Sequence, residues 1–476
     1  MSNALDAAGE LAIRSLIERA PLASSLAQAF KEAGFKLALV GGPVRDAILG
    51  RLGNDLDFTT DARPQETKKI LKVWAEDVWD IGIEFGTIAG KRGDTTVEIT
   101  TYRSDKYDPE SRKPEVEFGD NIQGDLSRRD FTVNAMALEL TGAKPEFIDA
   151  FNGLADLSAK VLRTPVTAEQ SFSDDPLRMM RAARFAAQLN FDVSDDSLKA
   201  MHEMAERINI ISAERVRDEL IKLLMSDNPR KGIAILVATG LADLVLPEIP
   251  KLQLEIDEHH HHKDVYEHSL TVLDQAIALE HRLGGKNLVN RLAALLHDIG
   301  KPKTRALIPG GGVSFHHHEV VGARLAKERL KKLRFSNDVI DDVDTLIALH
   351  LRFHGYGDGE WTDSAVRRYV RDAGELLTHL HVLTRADCTT RNQKKAERLA
   401  RVYDDLEARI ERLAAEEELA AIRPDLDGAE VMELLKLKPS REVGLALDFL
   451  LELRLEHGPL GKERATEELF NWWKSR

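Results

Sequence analysis

The chain has 476 residues, 43% hydrophobic and 31% charged, and a formal net charge of −14, so it is long enough for several domains with substantial cores. One cysteine, Cys388, excludes a disulfide framework and fits a reducing compartment, and no run approaches the roughly eighteen apolar residues of a membrane span. The acidic balance excludes a bulk basic footprint, so any nucleic-acid contact must come from local clusters.

Acidic residues interrupt the apolar stretch between Met1 and Ala20, which reads as neither a signal peptide nor an anchor, and a cytoplasmic protein without membrane association is expected. Residues 1–34 form a helical lead-in, with Leu11, Leu16, Ile17 and Leu22 at helical spacing. Between 35 and 150 short apolar runs alternate with turns: Lys36–Val40, Leu56–Thr60, Val78–Ile81, Gly86–Ala89, Thr96–Thr100 and Ala135–Leu140. A helix is predicted over Pro64–Trp74, opened by its proline. These elements make a small head on a mostly antiparallel sheet. From 151 to 250 the chain reads as a helical neck, including one helix from Asp174 to Leu189 with Ser173 as its N-cap. A histidine-rich helical domain is expected over 251–395, containing the run His259–His262 and the glycine loop Gly310–Gly312. A charged helical tail, broken near Pro424, completes an α+β chain at 396–476.

Chemistry concentrates first in the head. Asp55 and Asp57, two apart on a strand, project to one face and repel each other unless a divalent cation lies between them. Hard oxygen ligands of this kind suit Mg²⁺ shared with substrate phosphates, and Glu98 is a plausible third carboxylate. Gly41 and Gly42 permit close backbone approach to a phosphate, and with Arg45 and Asp46 they read as a triphosphate cradle. In Arg128-Arg129-Asp130-Phe131-Thr132-Val133-Asn134, the arginines suit phosphate, and Asp130 or Asn134 a ribose hydroxyl. Alone, an Asp-x-Asp pair is more often a solvated turn; the three pieces together indicate metal-dependent nucleotidyl transfer.

These motifs resemble the class II tRNA nucleotidyltransferase and bacterial poly(A) polymerase family, which has a polymerase-β-like head followed by helical neck, body and tail. The family's carboxylate-arginine signature on a neck helix is matched here by Asp174-Asp175-Pro176-Leu177-Arg178, followed by Arg181 and Arg184. Asp175 and Arg178 are spaced as neighbours on one helix face, where a carboxylate and a guanidinium can read the amino group and acceptors shared by cytosine and adenine. An ordinary surface salt bridge is the competing reading of that spacing. Asp174 replaces the family's glutamate. The polar segment Ser104–Gly124, with Arg112, occupies the place of the family's flexible loop and is expected to be mobile.

A second constellation comprises His268, His297, Asp298, His318, His350 and Asp387. Imidazoles and carboxylates spread over helices suit a divalent metal of undetermined identity, and the order resembles the HD phosphohydrolase superfamily. Because adjacent His297 and Asp298 diverge on a helix, the metal is expected at a helix end. The resemblances imply addition of C-C-A to the 3′ end of tRNA from CTP and ATP, with pyrophosphate released and no obligatory protein partner. A phosphohydrolase activity would reside in the histidine domain. Poly(A) polymerase and an HD-type nucleotide or cyclic-phosphate hydrolase remain alternatives.

Overall fold

A computed structural model describes residues 2–82, 86–106, 115–119, 121–253, 264–309, 313–356, 361–390, 392–417 and 423–476. The chain divides into two compact units, Met1–Pro247 and Glu248–Arg476. Among the described residues, mixed α+β architecture is confined to the first unit; the second is helical apart from a short hairpin, Ala306–Leu307 with Val313–Ser314.

The lead-in is two helices, Ser2–Arg19 and Leu22–Glu32, separated at Ala20-Pro21 because proline cannot continue the hydrogen-bond ladder. The head then supplies strands β1 Leu37–Val40, β2 Asp55–Thr60, β3 Asp77–Gly82, β4 Thr87–Arg92, β5 Thr95–Thr101, β6 Arg103–Lys106, β7 Glu115–Phe118, β8 Ala137–Glu139 and β9 Glu146–Ile148. Seven of them form one sheet in the order β3-β4-β5-β2-β1-β8-β9, in which only β2 and β5 run parallel. β1 is buried on both faces, as its continuous apolar run requires. In β2, Asp55 and Asp57 are exposed while Leu56 and Phe58 are buried, the period of two that anchors the carboxylates to one face.

Two expectations are corrected. The segment Ser104–Gly124 is not simply a polar loop: β6 and β7 pair antiparallel, and Asn121 Oδ1 caps the helix Ile122–Ser127 by accepting from Gly124 N–H at 2.7 Å. The alternation in Glu115-Val116-Glu117-Phe118 carries that strand signal, and Arg63 lies 5.1 Å above the Phe118 ring. Arg112 falls outside the described residues, as do His259–His262 and Gly310–Gly312. Secondly, Asp174–Leu189 is not one helix. Helix Ala168–Asp174 stops, Asp175 is extended (φ −141°, ψ 101°), and helix Leu177–Leu189 starts after Pro176. The residue before a proline is sterically pushed out of the α region, and Ser173 lies within the first helix rather than capping the second.

In the second unit, helices Val265–Ala278, Leu288–Leu296, His318–Lys332, Asn337–Leu349 and Leu377–Asp387 pack together around the buried residues Leu292, Leu295, Val343, Leu346 and Leu383. The fully buried Arg291 makes a forked ion pair with Glu280, at 2.6 and 2.7 Å. A smaller core of Val431, Val443, Ala446, Leu450 and Leu469 joins the last three helices.

Gly153 opens the helix Gly153–Ala159, where a Cβ would lie 2.2 Å from the Thr132 carbonyl oxygen and 2.8 Å from Met136 Cγ. Gly153→Ala is expected to destabilise the protein by about 2 kcal/mol or more through this overpacking, measured by denaturant melting; an unchanged midpoint would contradict the packing described.

Candidate functional sites

The register of β2 with β5 sets Asp57 beside Glu98 and Asp55 beside Thr96. Asp55, Asp57 and Glu98 therefore lie on one exposed face, as the strand periodicity predicts. The carboxylates crowd one another. Burial by surrounding chain raises the Asp57 carboxyl above its ordinary value, Arg129 opposes the rise, and Asp55 adds to it. Glu98 is raised by burial, then by Asp57 and Asp55. Burial together with neighbouring negative charge disfavours the anionic forms of Asp57 and Glu98, a condition a divalent cation relieves, so these residues fit one.

Behind this face, β1 runs into Gly41 and the helix Gly42–Ile48. Gly41 adopts φ +75°, ψ −138°, and a Cβ there would stand 2.7 Å from Arg129 Nη1. The two motifs thus meet, with Arg129 against the glycine turn and within electrostatic reach of Asp57. Arg45 behaves differently from its sequence reading. It is buried, forks onto Asp46 at 3.1 and 2.9 Å, and donates from Nη1 to Asn134 Oδ1 at 2.5 Å. Asn134 in turn donates to Asp130 Oδ1 at 3.0 Å, and Asp130 Oδ2 accepts from Arg181 at 2.8 and 2.5 Å. Arg45, Asp46, Asp130 and Asn134 consequently form a brace between the head and the neck helix Leu177–Leu189.

The brace continues into residues that sequence reasoning missed. Glu219, buried on the helix Ala213–Leu224, lies 3.1 Å from Arg184 Nε and 3.7 Å from Arg181 Nη1. Its sequence signal is a charge set among Val216, Leu220 and Leu223 on the apolar face of that helix. Burial and the neighbouring Arg181 lower Arg184 to about 10, with Glu219 and Asp130 opposing. Phe185 lies beneath three guanidinium groups, those of Arg184, Arg181 and Arg45, at 4.1, 5.4 and 5.5 Å from its ring centre. Burial tends to raise Asp130, but Arg181 and Asn134 outweigh it and hold the carboxyl well below its usual range. Asp125, also unforeseen, is fully buried between Arg128 and Arg129.

Asp175 and Arg178 adjoin at the helix break without pairing through their side chains. Asp175 Oδ1 accepts from Leu177 N–H at 3.0 Å, and its Oδ2 lies 3.2 Å from Arg215. Arg178 is buried and donates to Ser171 Oγ at 2.8 Å and to the Arg128 carbonyl. Asp174 accepts from Gln170 at 2.6 Å, one turn back along its own helix.

In the second unit the six histidine-site residues converge. Ligand atoms of His268, His297 and Asp387 lie within 4.8 Å of one another, as do those of Asp298, His318 and His350. Asp298 faces both groups. Its Oδ2 is 3.3 Å from His297 Nε2 and 3.5 Å from His268 Nε2, while Oδ1 is 3.2 Å from His318 Nε2. The helix Leu288–Leu296 ends at His297, so the adjacent His-Asp pair sits at a helix end, where both side chains reach one centre.

The protonation pattern follows from the backbone. His297, His318 and His350 each place Nδ1 against a carbonyl three residues earlier, those of Ala294, Phe315 and Ile347, at 2.9, 2.8 and 2.7 Å. A carbonyl only accepts, so Nδ1 carries the proton and Nε2 is turned towards the centre. His350 Nε2 is buried without a hydrogen-bond partner, which fits a metal ligand. Burial and His297 lower His350 to about 3. Burial also disfavours the charged form of His297, yet Asp298 and Asp387 overcome it and push that ring up to about 10, an anionic pull suited to a cation. Lys301 donates to Asp298 at 2.6 Å.

Comparison with known proteins agrees with this anatomy. Residues 37–163 match the poly(A) polymerase head domain, 190–252 the probable RNA- and SrmB-binding site of polymerase A, and 265–392 the HD domain. The A-adding tRNA nucleotidyltransferase of Deinococcus radiodurans is 34% identical over 423 residues, covering 88% of this chain and 91% of that protein. The CCA-adding enzyme of Streptococcus mutans is 42% identical over 229 residues, 48% of this chain and 54% of its own length. Among solved structures, the Bacillus stearothermophilus CCA-adding enzyme in complex with CTP shares the fold, with a TM-score of 0.66, 22% identity and coverage of 95% and 97% of the two chains. The Thermotoga maritima CCA-adding enzyme complexed with tRNA gives 0.61 at 19% identity, covering 97% and 98%. A near-full-length relationship, on a chain that unites the three head motifs with a neck and an HD domain, places this protein in the tRNA nucleotidyltransferase and poly(A) polymerase family.

Proposed function

We propose that the chain adds C-C-A to the 3′ end of tRNA from CTP and ATP without a nucleic-acid template. The observation that supports this most is the meeting of Arg129 with the Gly41 turn beside the Asp55, Asp57 and Glu98 face. Asp55 and Asp57 would hold Mg²⁺, with Glu98 as a third carboxylate; bound there, the ion supplies Lewis acidity to the α-phosphate and the attacking oxygen. The terminal ribose hydroxyl gives up its proton to solvent as its oxygen bonds to the α-phosphorus, the bond from that phosphorus to the β-bridging oxygen breaks, and pyrophosphate leaves. Arg129 draws the triphosphate against the Gly41 turn, so the residues work by positioning and charge neutralisation.

Base selection is assigned to Asp175 and Arg178. A carboxylate accepts from the exocyclic amino group of cytosine or adenine, and a guanidinium donates to the adjoining ring nitrogen or carbonyl. Uracil and guanine present a carbonyl where the amino group should be. Asp175 stands at the Pro176 break with Oδ2 towards Arg215, and Arg178 is fastened to the Arg128 carbonyl, linking the reader to the phosphate motif. Addition of the terminal A alone is the second reading, favoured because the relative spanning 91% of its length is an A-adding enzyme.

The histidine centre is proposed as a separate metal-dependent phosphohydrolase. His268, His297 and Asp387 would hold one divalent cation and His318 and His350 a second, with Asp298 between them.

Transcripts of tRNA ending before C-C-A, after C, after C-C and after C-C-A, incubated with CTP and ATP, separate these readings. Growth that stops after C-C-A is expected; extension only of the C-C transcript would assign A addition, and a long A-tail would make the protein a poly(A) polymerase. Asp55→Ala should abolish incorporation while leaving hydrolysis of bis(4-nitrophenyl) phosphate with Mn²⁺ or Ni²⁺, and the combination His297→Ala with Asp298→Ala should do the reverse. For Asp175→Asn, which swaps an acceptor for a donor, discrimination against UTP should fall by about 2 kcal/mol, read from the kcat/KM ratio of CTP to UTP.

A further inference from the structure

Asp125 is fully buried, lies outside the phosphate, ribose and base contacts assigned above, and gathers the two arginines that follow it in the chain. Three and four residues separate it from them, the spacing that brings side chains together on one helical turn. Its Oδ1 accepts from Arg128 Nε at 3.1 Å and Nη2 at 2.6 Å, and its Oδ2 from Arg129 Nη2 at 3.4 Å. The side chains of Arg128 and Arg129 are 17% and 19% exposed, so the anion is sealed in while the cations reach the surface. Among the described residues Asp125 is the one carboxylate within ion-pair distance of Arg129, whose Nε is itself buried without a partner. The opposite arm of that guanidinium, Nη1, is the atom that a Cβ at Gly41 would strike.

We infer that Asp125 is a positioning residue for nucleotidyl transfer: it orients the Arg129 guanidinium towards the Gly41 turn and so sets the affinity of the site for the triphosphate. This rests on the reading of Arg129 as a triphosphate contact. Two further observations agree with it. Although burial alone would raise its carboxyl, Asp125 is held below its ordinary value by Arg128 and Arg129. Arg128, tied to the same carboxylate through its side chain, offers its carbonyl to Arg178, so the anchor also reaches the base-reading residue. A guanidinium with one arm fixed on a buried anion loses less rotamer freedom when its other arm meets a phosphate.

The test uses the full chain with CTP, ATP and magnesium pyrophosphate, a probe lacking base and ribose. Asp125→Asn keeps the shape and removes the charge. KM for CTP and for ATP should rise by about tenfold, with kcat within about threefold, as fits loss of a charge-assisted anchor. The inhibition constant of pyrophosphate should rise by the same factor, and the double variant with Arg129→Ala should be no worse than Arg129→Ala alone. Additive losses, or pyrophosphate inhibition that is unchanged while Arg129→Ala impairs it, would overturn the positioning role. If Arg129→Ala itself leaves pyrophosphate binding intact, the triphosphate reading of Arg129 is what fails. Should Asp125→Asn lack a cooperative melt, Asp125→Glu, which retains the charge, should keep the pyrophosphate-induced rise in Tm; a cooperative melt without that rise would overturn the proposal.

Discussion

A buried carboxylate stays ionised only where cations and hydrogen-bond donors replace the water it has lost, and Asp130 meets that demand from two separate stretches of the first unit. Asn134 and the Phe131 N–H satisfy it from the head, and Arg181 from the neck helix. The neighbouring groups follow from this one requirement. Arg181 brings Glu219, Glu219 brings Arg184, and Asn134 brings Arg45 with Asp46. Removing one partner from such a network leaves an uncompensated charge, so its members are bound together more tightly than their separate hydrogen bonds suggest. The head that carries the carboxylate face of β2 and the neck helix that follows the break at Asp175 are tied together by it.

Most of the fold was legible because short apolar runs and turn residues mark a sheet well. The helix Pro64–Trp74 has the bounds its sequence suggests, and the expected strands lie within three residues of their observed ends, the largest gap being at β4, which runs on from Ala89 to Arg92. The failures share a cause, a local signal read without its steric or tertiary partner. The charge of Ser104–Gly124 hid the alternation of β7. Helical periodicity around Asp174 concealed the constraint that Pro176 imposes on Asp175. Strand β9, Glu146–Ile148, was overlooked because three residues carry too little pattern to stand out.

At the sites, spacing and residue type foretold which residues come together better than which partners each would bind. Asp55, Asp57 and Glu98 share a face as strand periodicity and the β2–β5 register require, and the six histidine-site residues do converge. Arg45 read as a phosphate ligand, yet its guanidinium is occupied by Asp46 and Asn134. No spacing rule could show that, since Asn134 lies 89 residues away in the chain. Glu219 is harder to read because its arginines come from another helix, whereas Asp125 has its arginines three and four residues on, a spacing that an ordinary solvated pair shares.

The histidine centre carries one more consequence. Three of its imidazoles are oriented by carbonyls of the turns that bear them, three residues back, and this arrangement belongs to the helices rather than to the occupant. Each ring so tethered keeps Nε2 aimed at the centre through the backbone of its own turn, with no further side chain needed to fix its tautomer. A set of imidazoles and carboxylates would admit several first-row divalent ions, so the geometry these helices impose joins metal supply in deciding which of them binds.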